Sequence, residues 1–369
     1  MNTKAIWLFL LIPLRIFSQE LSLNFNINKD DPELAPIVEL WQSYLRTNDR
    51  SYWMESEVKD LSNPNIQDMG GILNPSLMEY GLNNKILSIR KYQDGYKIRS
   101  MFLINDQVFA ITEVLAKREK NNWKLSNYIF DYTKDWQTVK TNTIDYIIHP
   151  AHVVDHENIK KAEQFLERLC GLFDLPQPKI TYFIVRDCDD IYKSLGYDYY
   201  FREGQQPECG YYESKNNFIF ATSQGGEAHY HELTHYINAF FPKAHELLLT
   251  GISAYLGGEK AHFGKPLEYH TKRVSEYLQQ HPEIDLSKFT EFYTMDSETN
   301  PQYVIGAILC DLIIQHSGKT GLIDAFNNTE NDEKLYRLIT AITGLSGEDL
   351  NQFLRDAIGG YSKNNKYRL

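Results

Sequence analysis

The pattern of the chain changes near residue 143, and no other feature constrains its fold as strongly. Before that point, strand-forming runs at 86–90 and 96–103 flank Asp94-Gly95, and runs at 108–116 and 123–130 flank Asn121-Asn122. Two antiparallel hairpins follow from that spacing. Upstream, Asp31-Pro32 reads as an N-cap with proline at the first helical position, and Ile37, Leu40, Trp41, Tyr44 and Leu45 keep one apolar helical face to about Asn48. After a polar connection at 136–142 the spacing alternates between strand and helix. A strand at 145–148 leads to an amphipathic helix from about Asp155, with Ala162, Phe165, Leu166, Leu169 and Leu172 on one face, and then to a strand at 180–185. A further hairpin turns at Asn216-Asn217, and everything after Lys243 reads as helices. The expected fold is α+β: a helix-and-antiparallel-sheet domain over 20–142, then a domain over 143–369 with a mostly helical C-terminal half. At 369 residues and 42% hydrophobic, the chain can bury a core in each.

The first nineteen residues have the anatomy of a secretory leader: Lys4, an apolar run from Ala5 to Leu14, and a polar exit near Gln19. Export is the expectation, with the leader covering 1–19. No later segment is apolar and long enough to cross a membrane, so no integral membrane segment is expected in the mature chain. The net charge of -11 disfavours a nucleic-acid partner, because phosphate binding needs clustered Lys and Arg. Four cysteines at 170, 188, 209 and 310 form no Cys-x-x-Cys pair, and their three possible disulfide pairings are left open. Cys170 and Cys310 sit among apolar neighbours, as buried free thiols do.

The chemistry is concentrated in the stretch AHYHELTHYI, residues 228–237. His231 and His235 are four apart, so on an α-helix both imidazoles project from one face about a turn apart and can reach one ion. Zn²⁺ accepts such a pair, and the intervening Glu232 can serve as general base toward an activated water. The alternative is a solvated helix face with three polar residues. Context favours the metal: a strand-forming run at 218–221 and a Gly225-Gly226 turn lead into the motif, and Tyr230, Leu233, Tyr236 and Ile237 surround it with apolar surface. On the same wheel His229 falls on another face.

The third ligand separates the peptidase classes. A metzincin would carry Gly and His where this chain has Asn238 and Phe241. Pro242 instead ends the first helix before KAHELLLTGISAYLGG opens the next. At this point the chain resembles the gluzincin metallopeptidases, specifically the bacterial peptidase MA-like group, over roughly residues 143–360. In that group the second helix carries a Glu-Gly-x-Ala-x-Tyr type signature whose glutamate binds zinc. Gly251 and Tyr255 match it, but the ligand position falls on Thr250, a neutral hydroxyl and a poor zinc ligand. Glu246, one turn earlier on the same face, is the carboxylate available to replace it; its other reading is charge compensation at a helix start. QYVIGAILCDLIIQHSG, residues 302–318, resembles the group's later core helix. NNWKLSNYI, residues 121–129, resembles the closing strand of NTF2-like domains.

Other polar clusters have plainer readings. His149, His152 and His156 follow no single helical face around Pro150 and read as a strand-to-helix junction. Tyr303 reads as core, with an oxyanion contact as its functional alternative. The expected function is an exported zinc metallopeptidase acting on peptide or protein substrates, with His231, His235 and Glu246 as metal ligands and Glu232 as base. The competing expectation is a non-catalytic binding or scaffold protein with a degenerate site, which Thr250 favours. The strand at 217–221 is the segment expected to pair with an extended substrate.

Overall fold

The computed structural model describes residues 21–66, 82–200, 209–258, 261 and 264–361, so the leader expected over 1–19 lies outside the described residues. Its contacts divide the chain into two units. One takes the described residues up to Tyr128 together with those of 196–201, and the other takes the rest.

In the first unit, helix α1 (Ala35–Thr47) buries Ile37, Val38, Leu40, Trp41, Tyr44 and Leu45, the face that the apolar spacing marks. It starts later than the sequence suggests. Asp31 makes a turn, accepting from Glu33 N–H through its side chain and from Leu34 and Ala35 N–H through its carbonyl, and the proline in the first helical turn is Pro36. A short helix, α2 (Glu55–Asp60), follows. Strands β1 (Leu21–Leu23), β2 (Leu82–Tyr92), β3 (Gly95–Ile104), β4 (Gln107–Glu119) and β5 (Asn122–Ser126) form one sheet in that order, antiparallel from β2 onward. Both expected hairpins are present, each with its turn one residue earlier than expected. Tyr92 pairs with Gly95 and Glu119 with Asn122, leaving Gln93-Asp94 and Lys120-Asn121 as the connections. Gly95 is required for a different reason: a Cβ on it would fall 2.3 Å from the Ala116 carbonyl oxygen.

The second unit begins before residue 143. Helix α3 (Tyr128–Tyr132) replaces the end of the second expected hairpin, and residues of the expected connection form β6 (Gln137–Lys140), paired antiparallel with β7 (Ile144–Ile148). Helix α4 (His156–Phe173) is capped by Asp155, whose carboxylate accepts from Glu157 and Asn158 N–H, and buries the expected apolar face. Strand β8 (Ile180–Val185) and helix α5 (Cys188–Ser194) come next. The chain then returns to the first sheet, where β9 (Tyr197–Tyr200) pairs with β4. It re-enters the second unit as β10 (Gly210–Glu213) and β11 (Phe218–Thr222), giving a sheet ordered β10-β11-β8-β7-β6. A disulfide joins Cys188 to Cys209, while Cys170 and Cys310 are buried and free.

After helix α6 (Tyr230–Thr234) the second unit is helical, through α7 (Glu246–Leu256), α8 (Leu267–Gln280), α9 (Pro301–Asn328), α10 (Asp332–Thr343) and α11 (Gly347–Tyr361). The mixed α+β class, with a helical C-terminal half, is therefore as expected. Helices α7 and α9 cross in close backbone contact. A Cβ on Gly251 would lie 2.1 Å from the Gly306 carbonyl carbon, and one on Gly306 would lie 2.1 Å from the Leu247 oxygen. The two glycines let the backbones touch, which brings α7 under the motif helix.

Candidate metal centre

Strand β11 leads through Gly225-Gly226 to α6, and the approach is pinned before the motif begins. The Tyr182 phenol donates to the Gly226 carbonyl at 2.8 Å and accepts from the His229 N–H at 3.3 Å. Tyr146 donates to the Glu227 carbonyl. The buried Glu227 carboxylate meets His152 Nε2 at 2.9 Å and accepts the Asp155 N–H at 2.8 Å. His152 thus serves the junction between β7 and α4, as its spacing suggests.

Helix α6 has a single α-helical turn, and His235 opens a 3-10 segment that runs to Phe240. Its φ of -61° and ψ of -14° keep it near helical geometry, so the four-residue spacing still brings the two rings together. Their centroids are 4.9 Å apart. Ligand atoms of His231, Glu232 and His235 all lie within 4.8 Å of one another, and this is the metal-capable group among the described residues.

The hydrogen bonds around the rings direct their lone pairs. His231 Nδ1 is 2.6 Å from the Ala261 carbonyl, which can only accept, so Nδ1 carries the proton and Nε2 the lone pair. His235 Nδ1 lies 3.2 Å from Ser253 Oγ, whose own hydroxyl donates to the Leu249 carbonyl, and 3.0 Å from the Asn238 amide. Turning that amide over gives the buried and otherwise unpartnered Asn238 Oδ1 the same Nδ1–H as donor. Both imidazoles then present Nε2, each oriented by an outer partner in the way metal-binding histidines are.

Burial sets the charge state. It pushes His231 down to about 4 and Glu232 up to about 8, and it holds His235 well below its ordinary value, with His231 and His229 adding to the effect. In the metal-free cluster burial thus favours neutral imidazoles and the protonated form of the carboxyl. Neutral imidazoles are the form a metal binds, so the two histidines offer Zn²⁺ two of the three protein ligands that a catalytic site supplies.

A pH dependence follows for the metal-free chain. Folding favours protonated Glu232, an advantage complete below its ordinary 4.5 and lost as pH rises to about 8. Folding also favours neutral His231, an advantage present above 6.5 and lost as pH falls to about 4. Urea midpoints of the metal-free wild type should therefore decline relative to those of Glu232→Gln as pH rises from about 4.5 to 8. Parallel curves would contradict the burial-shifted carboxyl.

The structure places the remaining expected residues differently. Glu246 is exposed at the first position of α7, beside His245, Glu330 and Asp332 on a surface pocket, and it is not in the metal-capable group. A first-turn acid suits the helix dipole there. Thr250 is half-buried on the same helix. The strand expected to pair with substrate, β11, lies inside the sheet between β10 and β8, so its backbone is already paired on both sides. Tyr303, by contrast, packs against the core as read, and its ring also stands 5.5 Å from that of His231; burial pushes it up to about 12.

His229 is not on another face. It is buried, with Nδ1 3.9 Å from Glu232 Oε1. The supporting residues Ala261, Ser253 and Asn238 carry no motif signal, because a carbonyl, a small hydroxyl and a helix-end amide are common in any sequence.

Neither a family model nor a curated protein matches the chain. Among solved structures it is similar to an aminopeptidase N family protein from Idiomarina loihiensis, at 11% identity and a TM-score of 0.34, over 69% of this chain and 52% of that one. The chain thus spans about half the length of that protein.

Proposed function

We propose that this protein is a zinc-dependent peptidase, with His231 and His235 as metal ligands and Glu232 as general base. The observation that carries the reading is the buried cluster itself, in which two neutral imidazoles present Nε2 beside a carboxyl. A Zn²⁺ held there would polarise a scissile carbonyl and bring the pKa of a water toward neutrality. Glu232 takes a proton from the attacking water and returns it to the leaving amine. Edge strand β10 supports the substrate class: among the described residues it is paired with β11 alone, and its Gly210 packs directly against Glu232. An extended peptide added to that edge would lie alongside the base, held by main-chain hydrogen bonds that tolerate varied sequence. The Cys188–Cys209 disulfide supports an oxidising compartment and hence export. The two units correspond to an NTF2-like module and a peptidase MA-like module in this reading.

A specific observation favours a second reading, a binding protein with a degenerate site. The usual ligand position is Thr250, and Glu246 is exposed rather than gathered into the cluster. Hydrolysis of a labelled casein and of a mixed peptide pool, measured with chelator, without it and after zinc is restored, separates the two. Chelator-sensitive cleavage that zinc rescues supports the peptidase. No cleavage under any of the three conditions supports the binding protein.

A further inference from the structure

His229 stands two residues before the first motif histidine, a spacing that turns a side chain about 200° away on a continuous helix. The helix does not extend that far. His229 is the residue that precedes it, with φ -80° and ψ 82°, and that non-helical backbone turns the ring toward the site. Its Nδ1 comes to 3.9 Å from Glu232 Oε1, with both side chains almost fully buried. The pair shares a wall. A Cβ on Gly210 would lie 2.6 Å from Glu232 Cγ and Oε1 and 2.7 Å from His229 Cε1, so ring and carboxyl both rest on the bare backbone of β10. The His229 N–H is itself held by the Tyr182 phenol, which also holds the Gly226 carbonyl. The backbone of His229 is therefore held independently of the carboxyl that lies beside its ring.

We propose that His229 is a positioning residue for Glu232, setting the carboxyl against the Gly210 backbone. A base must be held within a fraction of an ångström of its working geometry, and a long Glu side chain needs a neighbour to hold it there. The consequence for turnover rests on the peptidase reading, whereas the contact between the two side chains does not.

The test has two arms on the full chain. In the first, imidazole ¹⁵N–¹H NMR spectra of metal-free protein are compared between wild type, Glu232→Gln and Gly210→Ala, with His229→Gln supplying the assignment. The His229 ring signals should move in both variants while those of the exposed His316 stay in place. His229 signals unmoved by Glu232→Gln overturn the proposal, whether or not the protein cleaves anything. In the second arm, casein hydrolysis by His229→Ala should show kcat lowered about 10- to 100-fold, with KM and zinc content unchanged, and His229→Gln should recover part of the loss. An unchanged kcat in His229→Ala also overturns it. If the wild type itself cleaves no substrate, the peptidase reading fails and the first arm still decides the role of His229.

Discussion

Replacing Glu232 with Gln is expected to lower kcat for peptide hydrolysis by about 10²- to 10⁴-fold, the usual worth of a general base, while zinc content stays that of the wild type. Glutamine keeps the shape and volume of the side chain, so its packing against Gly210 and His229 survives. It cannot accept a proton from water at neutral pH. The two histidines keep their outer partners at Ala261 and Ser253, so metal binding should persist. Hydrolysis within about threefold of wild type would remove Glu232 from the chemistry. Loss of zinc together with activity would instead make Glu232 a ligand.

The second large effect concerns stability. Gly251→Ala and Gly306→Ala should each destabilise the protein by about 3 kcal/mol or more, at the upper end of overpacking costs. The atoms in the way are backbone: the Gly306 carbonyl on one side and the Leu247 oxygen on the other, each about 2.1 Å from the added Cβ. No rotamer change relieves that overlap, so α7 and α9 must separate. The melting temperature should fall by roughly 10 °C, since each kcal/mol is worth about 2–4 °C in a unit of this size. Ser253 lies on α7, two residues from Gly251, and would move away from His235 as the helix shifts, so zinc affinity should weaken too. Gly171→Ala provides the control of opposite sign. It is an exposed position within α4 with nothing within 4 Å of the added Cβ, and alanine should stabilise there by about 0.5–1 kcal/mol. Melting curves of the three variants check both signs; a Gly251→Ala protein as stable as wild type would mean that the helices do not touch as described.

What the sequence made legible follows from the range over which each signal acts. The faces of α1 and α4 were readable because a buried stripe repeats every three to four residues and depends on nothing distant. The His231–Glu232–His235 cluster is legible for the same reason, since it needs only five consecutive residues near helical geometry. The hairpin turns lie one residue before the positions that the sequence suggests because Gly95 and Asn122 look like turn residues, while Gly95 in fact answers to Ala116 on the neighbouring strand. Strand β6 was hidden in a polar stretch because an edge strand can leave most of its side chains in water. The return of β9 to the first sheet could not be read locally at all, as its partner β4 lies about ninety residues earlier in the numbering. His229 departs from the helical wheel because it precedes the helix and has non-helical backbone angles. Glu246 was placed correctly on a helix, but helical phase alone could not say that its position faces water.

Zinc content decides the central claim most directly. Purified protein, offered zinc, extensively desalted and measured by elemental mass spectrometry, should hold close to one zinc per chain, and His231→Ala and His235→Ala should hold almost none. A wild-type chain that retains no zinc under the same conditions would contradict the account, leaving a buried His-Glu-His cluster that binds no metal and a domain whose role is binding rather than hydrolysis.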